Sequence, residues 1–219
     1  MHKRRSLSSP IALSASEPDI SPEHKQAIVV ALLWAWKELC AAAPMIPLTH
    51  NEESITVQLE RLLNDHVGGT RRAYWINDFE SVARGAKVVT SDGRIEKAPD
   101  LHFRPPVYGT VESRSDWGWF VECKIVDKGH YLEAYCTDGV RRFSIGEYGA
   151  RMPSSGMVGY VRDGQRPFVS LDPKLAGRFA TVSHTHGTAD NLSVSLHRRS
   201  ELTPPCVNIE LTHIWLLAE

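Results

Sequence analysis

Two stretches of this 219-residue chain hold the side chains best suited to chemistry: Pro99-Asp100, and the run Trp117-Gly118-Trp119-Phe120-Val121-Glu122-Cys123-Lys124-Ile125-Val126. In a β-strand, residues i and i+2 share a face, so Glu122 and Lys124 project side by side while Cys123 faces the opposite layer. Asp100, at the start of another strand, can join them. Three ionic groups on an otherwise apolar strand cost free energy unless they are paired or hold a metal. A surface salt bridge between Glu122 and Lys124 is the plainer alternative. The flanking Trp119, Phe120, Val121, Ile125 and Val126 leave little solvent face for it, so the pattern points to a metal site.

The elements that position these residues follow from periodicity. Ser21-Pro22-Glu23 is a helix start, with an N-cap, a proline in the first turn and an early acid. Ile28, Leu32, Ala35, Trp36 and Leu39 then form one stripe up to the breakers Pro44 and Pro47. A second helix is predicted from near Thr49 to Asn51, burying Ile55, Leu59, Leu62 and Leu63 and ending at Gly68-Gly69. Extended segments follow at about 71–82, 98–104 and 117–126, the first two separated by the turn Ser91-Asp92-Gly93-Arg94. A helix-like stretch at about 129–150, interrupted near Gly139, leads to the apolar strand 156–161. The order helix, three strands, helix, strand is an α/β pattern. Beyond it the sequence predicts a short helix near Pro173 to Arg178, a strand at 179–184, a polar loop and a last strand at 206–217. Residues 1–20, Ser-rich with Pro10 and Pro18, read as a disordered tail, and residues 21–219 as a single domain.

With that order in place, Asp100, Glu122 and Lys124 resemble the PD-(D/E)xK nuclease superfamily, the restriction-endonuclease-like fold. The likeness covers roughly residues 50–165, leaving 166–219 as a C-terminal addition and the first helix as an N-terminal one. It rests on the proline directly before Asp100, the 22-residue spacing to Glu122 and the apolar strand around Glu122-Cys123-Lys124. The resemblance implies an α-β-β-β-α-β core with a mixed central sheet. It also implies Mg²⁺, with Mn²⁺ as substitute, held by Asp100, Glu122 and the backbone carbonyl of Cys123, all hard oxygen donors. Lys124 would orient or help deprotonate a metal-bound water and stabilise charge on the phosphate. The family often adds a glutamate from the first core helix. At ~100° per residue, Glu52 falls in the stripe of Ile55, Leu59 and Leu63 and Glu53 on its edge, which favours Glu52 as the fourth acid. Both acids also suit the positive end of the helix dipole. The helix after Lys124 would face the substrate backbone, making Lys128, His130, Tyr131, Tyr135, Arg141, Arg142, Tyr148 and Arg151 candidates for phosphate contacts.

The implied activity is a metal-dependent endonuclease hydrolysing DNA, the effector of a bacterial anti-phage or restriction-type defence system. RNA is the second candidate substrate. A catalytically silent nuclease-fold scaffold, or a nucleic-acid-binding subunit, is the alternative. With no Walker-type phosphate loop, ATP-driven work falls to another chain, so an ATPase or sensor subunit is an expected partner, and homo-oligomerisation is open.

Composition sets bounds without choosing among these. The net charge of −1 gives bulk electrostatics no lever on nucleic acid, and the hydrophobic share of 42% is ordinary for a globular protein. No apolar run approaches the ~20 residues of a membrane span, so no membrane partner is expected. Cys40, Cys123, Cys136 and Cys206 show no CxxC spacing, which argues against a zinc or disulfide framework and for a reducing cytoplasm. The first six residues resemble the start of a signal peptide, but the apolar stretch after them is too short for one. His184-Thr185-His186 puts two imidazoles on one strand face. With no third ligand at usable spacing, a structural pair, or a phosphate-facing patch with Arg198 and Arg199, is expected there rather than zinc.

Overall fold

Local chemistry sets the first helices. The Ser21 hydroxyl accepts the His24 N–H at 3.2 Å, and Pro22 opens the helix where no N–H is needed. Helix α1 (Pro22–Ala42) buries Ile28, Leu32, Ala35, Trp36 and Leu39. Between Pro44 and Asn51 the chain forms the short helix α2 (Met45–Thr49). Helix α3 (Glu52–Gly68) is capped by Asn51, whose Oδ1 accepts the Ser54 N–H at 2.9 Å, and it buries Ile55, Leu59 and Leu63.

The computed structural model describes residues 17–68, 82–83, 88–89, 95–105, 117–130, 132–164, 167–187, 191–199, 202 and 206–218. Most of the expected tail lies outside these residues, but its last four positions are tied to the fold. Ile20 is buried, Trp117 Nε1 donates to the Pro18 carbonyl at 2.9 Å, and Arg151 pairs with Glu17 at 3.3 Å. The boundary drawn at residue 20 is thus too late, because the partners that fix this segment are more than a hundred residues away or nearly so. The expected strand at 71–82 also falls outside, save for Val82 in β1 (Val82–Ala83). The turn Ser91–Arg94 is likewise outside, although β2 (Val88–Val89) and β3 (Ile95–Lys97) on either side of it pair antiparallel.

The remaining strands are β4 (Leu101–Phe103), β5 (Trp119–Val126), β6 (Ser154–Val161), β7 (Thr181–His186), β8 (Leu192–Arg198) and β9 (Asn208–Leu217). With β1 they form a seven-stranded mixed sheet in the order β1-β4-β5-β6-β9-β8-β7, making the protein α/β. Strands β5, β6 and β9 run parallel at the centre and the others pair antiparallel. Parallel strands are covered on both faces, which is why β5 and β6 read as continuous apolar runs. The C-terminal residues are not an annex: β9 lies against β6 from Ser154↔Glu210 to Val161↔Leu217.

Side-chain alternation assigns the layers. Tyr160 stacks on Trp36 with ring centroids 5.5 Å apart, and its hydroxyl meets Thr56 Oγ1 at 2.9 Å, so α1 and α3 cover this face. Gly159, the preceding residue, faces the other way, in register with Lys124 and Trp215. That second face carries α4 (Leu132–Ala134), a π-helical turn over Tyr135–Val140, and α5 (Arg141–Ser144). The π turn contains the break expected at Gly139. A Cβ there would sit 2.3 Å from Met157 Cε, so glycine allows the turn to lie close on the sheet. Gly159 has a stiffer neighbour, because a Cβ would fall 2.5 Å from Cε3 of the buried Trp215 indole. Gly159→Ala is expected to lower stability by ~1–3 kcal/mol, the cost of overpacking a rigid contact. Urea unfolding of the variant tests this, and a wild-type midpoint would show that the indole can move aside.

Three expectations in the C-terminal third are corrected. The helix is α6 (Pro167–Leu175) rather than 173–178, since proline suits its start. The strand at 179–184 begins and ends two residues later, as β7. The supposed polar loop contains β8. It alternates strictly, but its buried side chains are Ser193, Ser195 and His197, so an inward polar face disguised it. Among the described residues no helix is long and apolar enough to cross a membrane.

Candidate active site

The site forms where β4 ends early. Its pairing with β5 runs from Phe103↔Trp119 to Leu101↔Val121 and stops beside Pro99, which has no N–H to continue the ladder. Further along β5, the N–H groups on that edge, at Cys123 and Ile125, need other acceptors. Two carboxylates supply them. Asp100 Oδ2 accepts the Cys123 N–H at 2.7 Å, and Glu52 Oε2, from the first turn of α3, accepts the Ile125 N–H at 3.3 Å. The Cys123 carbonyl accepts from Lys124 Nζ at 2.9 Å, which places it in the same gap.

The Lys124 ammonium is the hub. Its Nζ lies 2.7 Å from Glu52 Oε1, 2.9 Å from Glu122 Oε1 and 4.0 Å from Asp100 Oδ2. The last two oxygens are therefore no farther apart than the sum of their distances to this nitrogen. Arg142, from α5, adds a second cation at 2.8 Å from Glu122 Oε1 and also donates to the Tyr148 hydroxyl at 2.8 Å. Glu122 is the floor of the site at 2% exposure, whereas Asp100 and Glu52, at 30% and 33%, form its solvent side. Burial, helped by the neighbouring charge of Asp100, pushes Glu122 up to about 8, against the attraction of Lys124 and Arg142. Burial by itself would lower the Lys124 ammonium, but Glu122, Asp100 and Glu52 together hold it well above the usual lysine range. The site thus has three acids to two cations, and a carboxyl at its floor that resists ionising.

The structure brings together Asp100, Glu122, Lys124, Glu52 and the Cys123 carbonyl. Glu53 is exposed on α3. The Cys123 thiol is buried on the opposite face, against the Tyr160 hydroxyl, and burial raises it well above the usual thiol range. The donor set suits a small hard cation, being carboxylate and carbonyl oxygen throughout. Among the described residues no donor is placed on Asp100 Oδ1 or Glu122 Oε2, which are the oxygens left to hold it.

The candidate phosphate contacts separate. Lys128 and Arg141 are exposed, and Tyr131 lies outside the described residues. Tyr135 is corrected: it is fully buried and bonds His213 Nδ1 at 2.8 Å, because the π turn rotates it into the sheet. His130 meets Asp127 at 2.9 Å, and Arg151 is taken by Glu17. Arg199 is corrected as well. It is buried and donates to the carbonyls of Gly149, Met152 and Asn208, holding a corner of the fold.

The pair His184 and His186 does have a third partner. Asp172, on α6, meets His184 Nδ1 with Oδ1 and His186 Nε2 with Oδ2, the latter at 2.9 Å. Sequence gave no sign of it, because the helix position that faces the strand depends on how α6 docks.

No family model matches the chain, and none of the curated proteins or solved structures compared with it is a match.

Proposed function

We propose that this protein is a Mg²⁺-dependent endonuclease of the PD-(D/E)xK type that hydrolyses DNA, acting in the cytoplasm as the effector of a bacterial defence system with a separate ATPase or sensor partner. The observation that carries this reading is the convergence of Asp100, Glu122, Lys124 and Glu52 on the gap beside β5. The succession of α3, two antiparallel strands with Asp100 just before the first and Glu122 on the second, a helical segment and a parallel strand supports a restriction-endonuclease-like core.

Asp100, Glu122 and the Cys123 carbonyl would hold the cation, which supplies a Lewis acid for the phosphate and lowers the pKa of a bound water. The remaining work belongs to the chain. Lys124, kept protonated by its acidic neighbours, orients that water and stabilises charge developing on the phosphate rather than acting as a base. Glu52 fixes the Lys124 ammonium in this position and ties α3 to the β5 edge. Arg142 keeps the Glu122 carboxyl turned toward the gap. Glu52→Ala is accordingly expected to slow cleavage by roughly tenfold or more, while Glu53→Ala leaves it near wild type. The reverse order in a plasmid-nicking assay would show that the other acid serves the site.

Incubating the full chain with plasmid, linear DNA and RNA, in Mg²⁺ or EDTA, tests the reading directly. Cleavage of DNA in Mg²⁺ that EDTA stops is the expected result. One observation favours the silent-scaffold alternative: Lys124 bridges the acids into an ion-pair cluster that needs nothing further. DNA binding without cleavage under any divalent metal would establish that alternative instead.

A further inference from the structure

The sheet carries a second cluster of ligand-type side chains, far from the first. The in-register row Glu122, Met157, His213, Ser193, His186 crosses one face of the sheet from β5 to β7. Four strand spacings of ~4.8 Å put His186 roughly 19 Å from Glu122. At that outer edge, Asp172, His184 and His186 offer ligand atoms that all lie within 4.8 Å of one another, and they are the only such group of three among the described residues. Their chemistry differs from that of the Lys124 gap, where every donor is an oxygen. Two imidazoles and a carboxylate suit borderline first-row ions, which Mg²⁺-type oxygen sites do not favour.

We propose that Asp172, His184 and His186 form a binding site for a divalent first-row transition ion, with Zn²⁺ the best match. The geometry is built rather than incidental. His184 and His186 alternate onto one face of β7, with ring centroids 4.9 Å apart, and each turns a nitrogen toward the same carboxylate. The His184 ring is walled in, at 5% exposure, with the His213 ring edge-on at 5.8 Å. Its Nε2 is buried with no partner among the described residues. No second hydrogen bond therefore fixes its tautomer, so the proton that Nδ1 shares with the Asp172 carboxylate can pass to Nε2 and leave Nδ1 a lone pair for the ion. His213 is not a fourth ligand, since Tyr135 and Ser195 occupy both of its nitrogens. Ligands of one zinc at bond lengths of ~2.0–2.1 Å stand about 3.4 Å apart in a tetrahedron. Side-chain shifts of about an ångström close the present spacing, and Asp172 and His186 are exposed enough to make them.

The test uses the full chain stripped with EDTA and titrated with Co²⁺, whose visible absorption reports imidazole and carboxylate ligation, followed by competition with Zn²⁺. One equivalent of Co²⁺ with the spectrum of nitrogen ligation, displaced by Zn²⁺, is expected, apart from any ion that the oxygen donors of the Lys124 gap take up. His186→Ala and Asp172→Asn should each weaken binding at least ~10-fold while keeping the wild-type melting temperature in EDTA. Glu122→Gln should bind as the wild type does, which separates this site from the candidate active site. Absence of Co²⁺ and Zn²⁺ binding in the wild type would overturn the proposal. So would binding that survives both Asp172→Asn and His186→Ala, or that is lost in Glu122→Gln.

Discussion

Asp100→Asn, Glu122→Gln and Lys124→Gln are each expected to slow Mg²⁺-dependent DNA cleavage by about 10²-fold or more, the usual cost of removing a group that stabilises the transition state. These near-isosteric changes preserve most of the volume and some of the hydrogen bonds of the site. Asn at position 100 can still accept the Cys123 N–H that Asp100 Oδ2 accepts. Lys124 is the most telling of the three because its ammonium touches every acid of the cluster. Its loss leaves three carboxylates facing Arg142 alone, so Lys124→Gln should also destabilise the metal-free protein, and Mg²⁺ should restore part of that stability. Unchanged cleavage rates in folded variants would remove these residues from the chemistry.

The second large effect is a loss of stability with rising pH in EDTA. Glu122 titrates near 8 in the folded protein and near its ordinary 4.5 when unfolded. Between those values the folded state holds the extra proton, so raising the pH favours unfolding, and the effect levels off above about 8. Buried His102 and His197, both lowered to about 4, act in the opposite sense below their ordinary 6.5. The clean window is therefore pH 6.5 to 8, where Glu122 contributes a decline of at most about 2 kcal/mol. Thermal melts across that window test it. Glu122→Gln should flatten the curve, and saturating Mg²⁺ should flatten it in the wild type by favouring the ionised carboxylate. A wild-type curve in EDTA that is already flat would mean that Glu122 ionises freely in the fold.

The legible parts of this protein are those where side-chain period and burial agree. The run from Trp119 to Val126 is a strand because nothing else buries so continuous an apolar segment, and alternation alone puts Glu122 and Lys124 together. The helical wheel separates Glu52 from Glu53 for the same reason: the face that packs is the face that reaches β5. Where polar residues point inward, the rule fails. Ser193, Ser195 and His197 are all buried, the last two in a network that joins His213 and Tyr135, so β8 reads as loop. Arg142 and Arg199 looked alike as surface cations. Only the docking of distant segments makes one a partner of Glu122 and the other a clasp on three carbonyls. Asp172 was invisible for a related reason, since its relation to His184 is set by the approach of α6 to the sheet edge.

The early end of β4 makes two amide protons into gauges of site occupancy. Those of Cys123 and Ile125 are shielded by carboxylates instead of by a neighbouring strand. A divalent ion on the other oxygen of Asp100 draws charge from this carboxylate and so alters the first of these contacts. Deuterium uptake and chemical shift at residue 123 should therefore respond to Mg²⁺, while the amide of Val121, inside the paired ladder, stays as an internal reference.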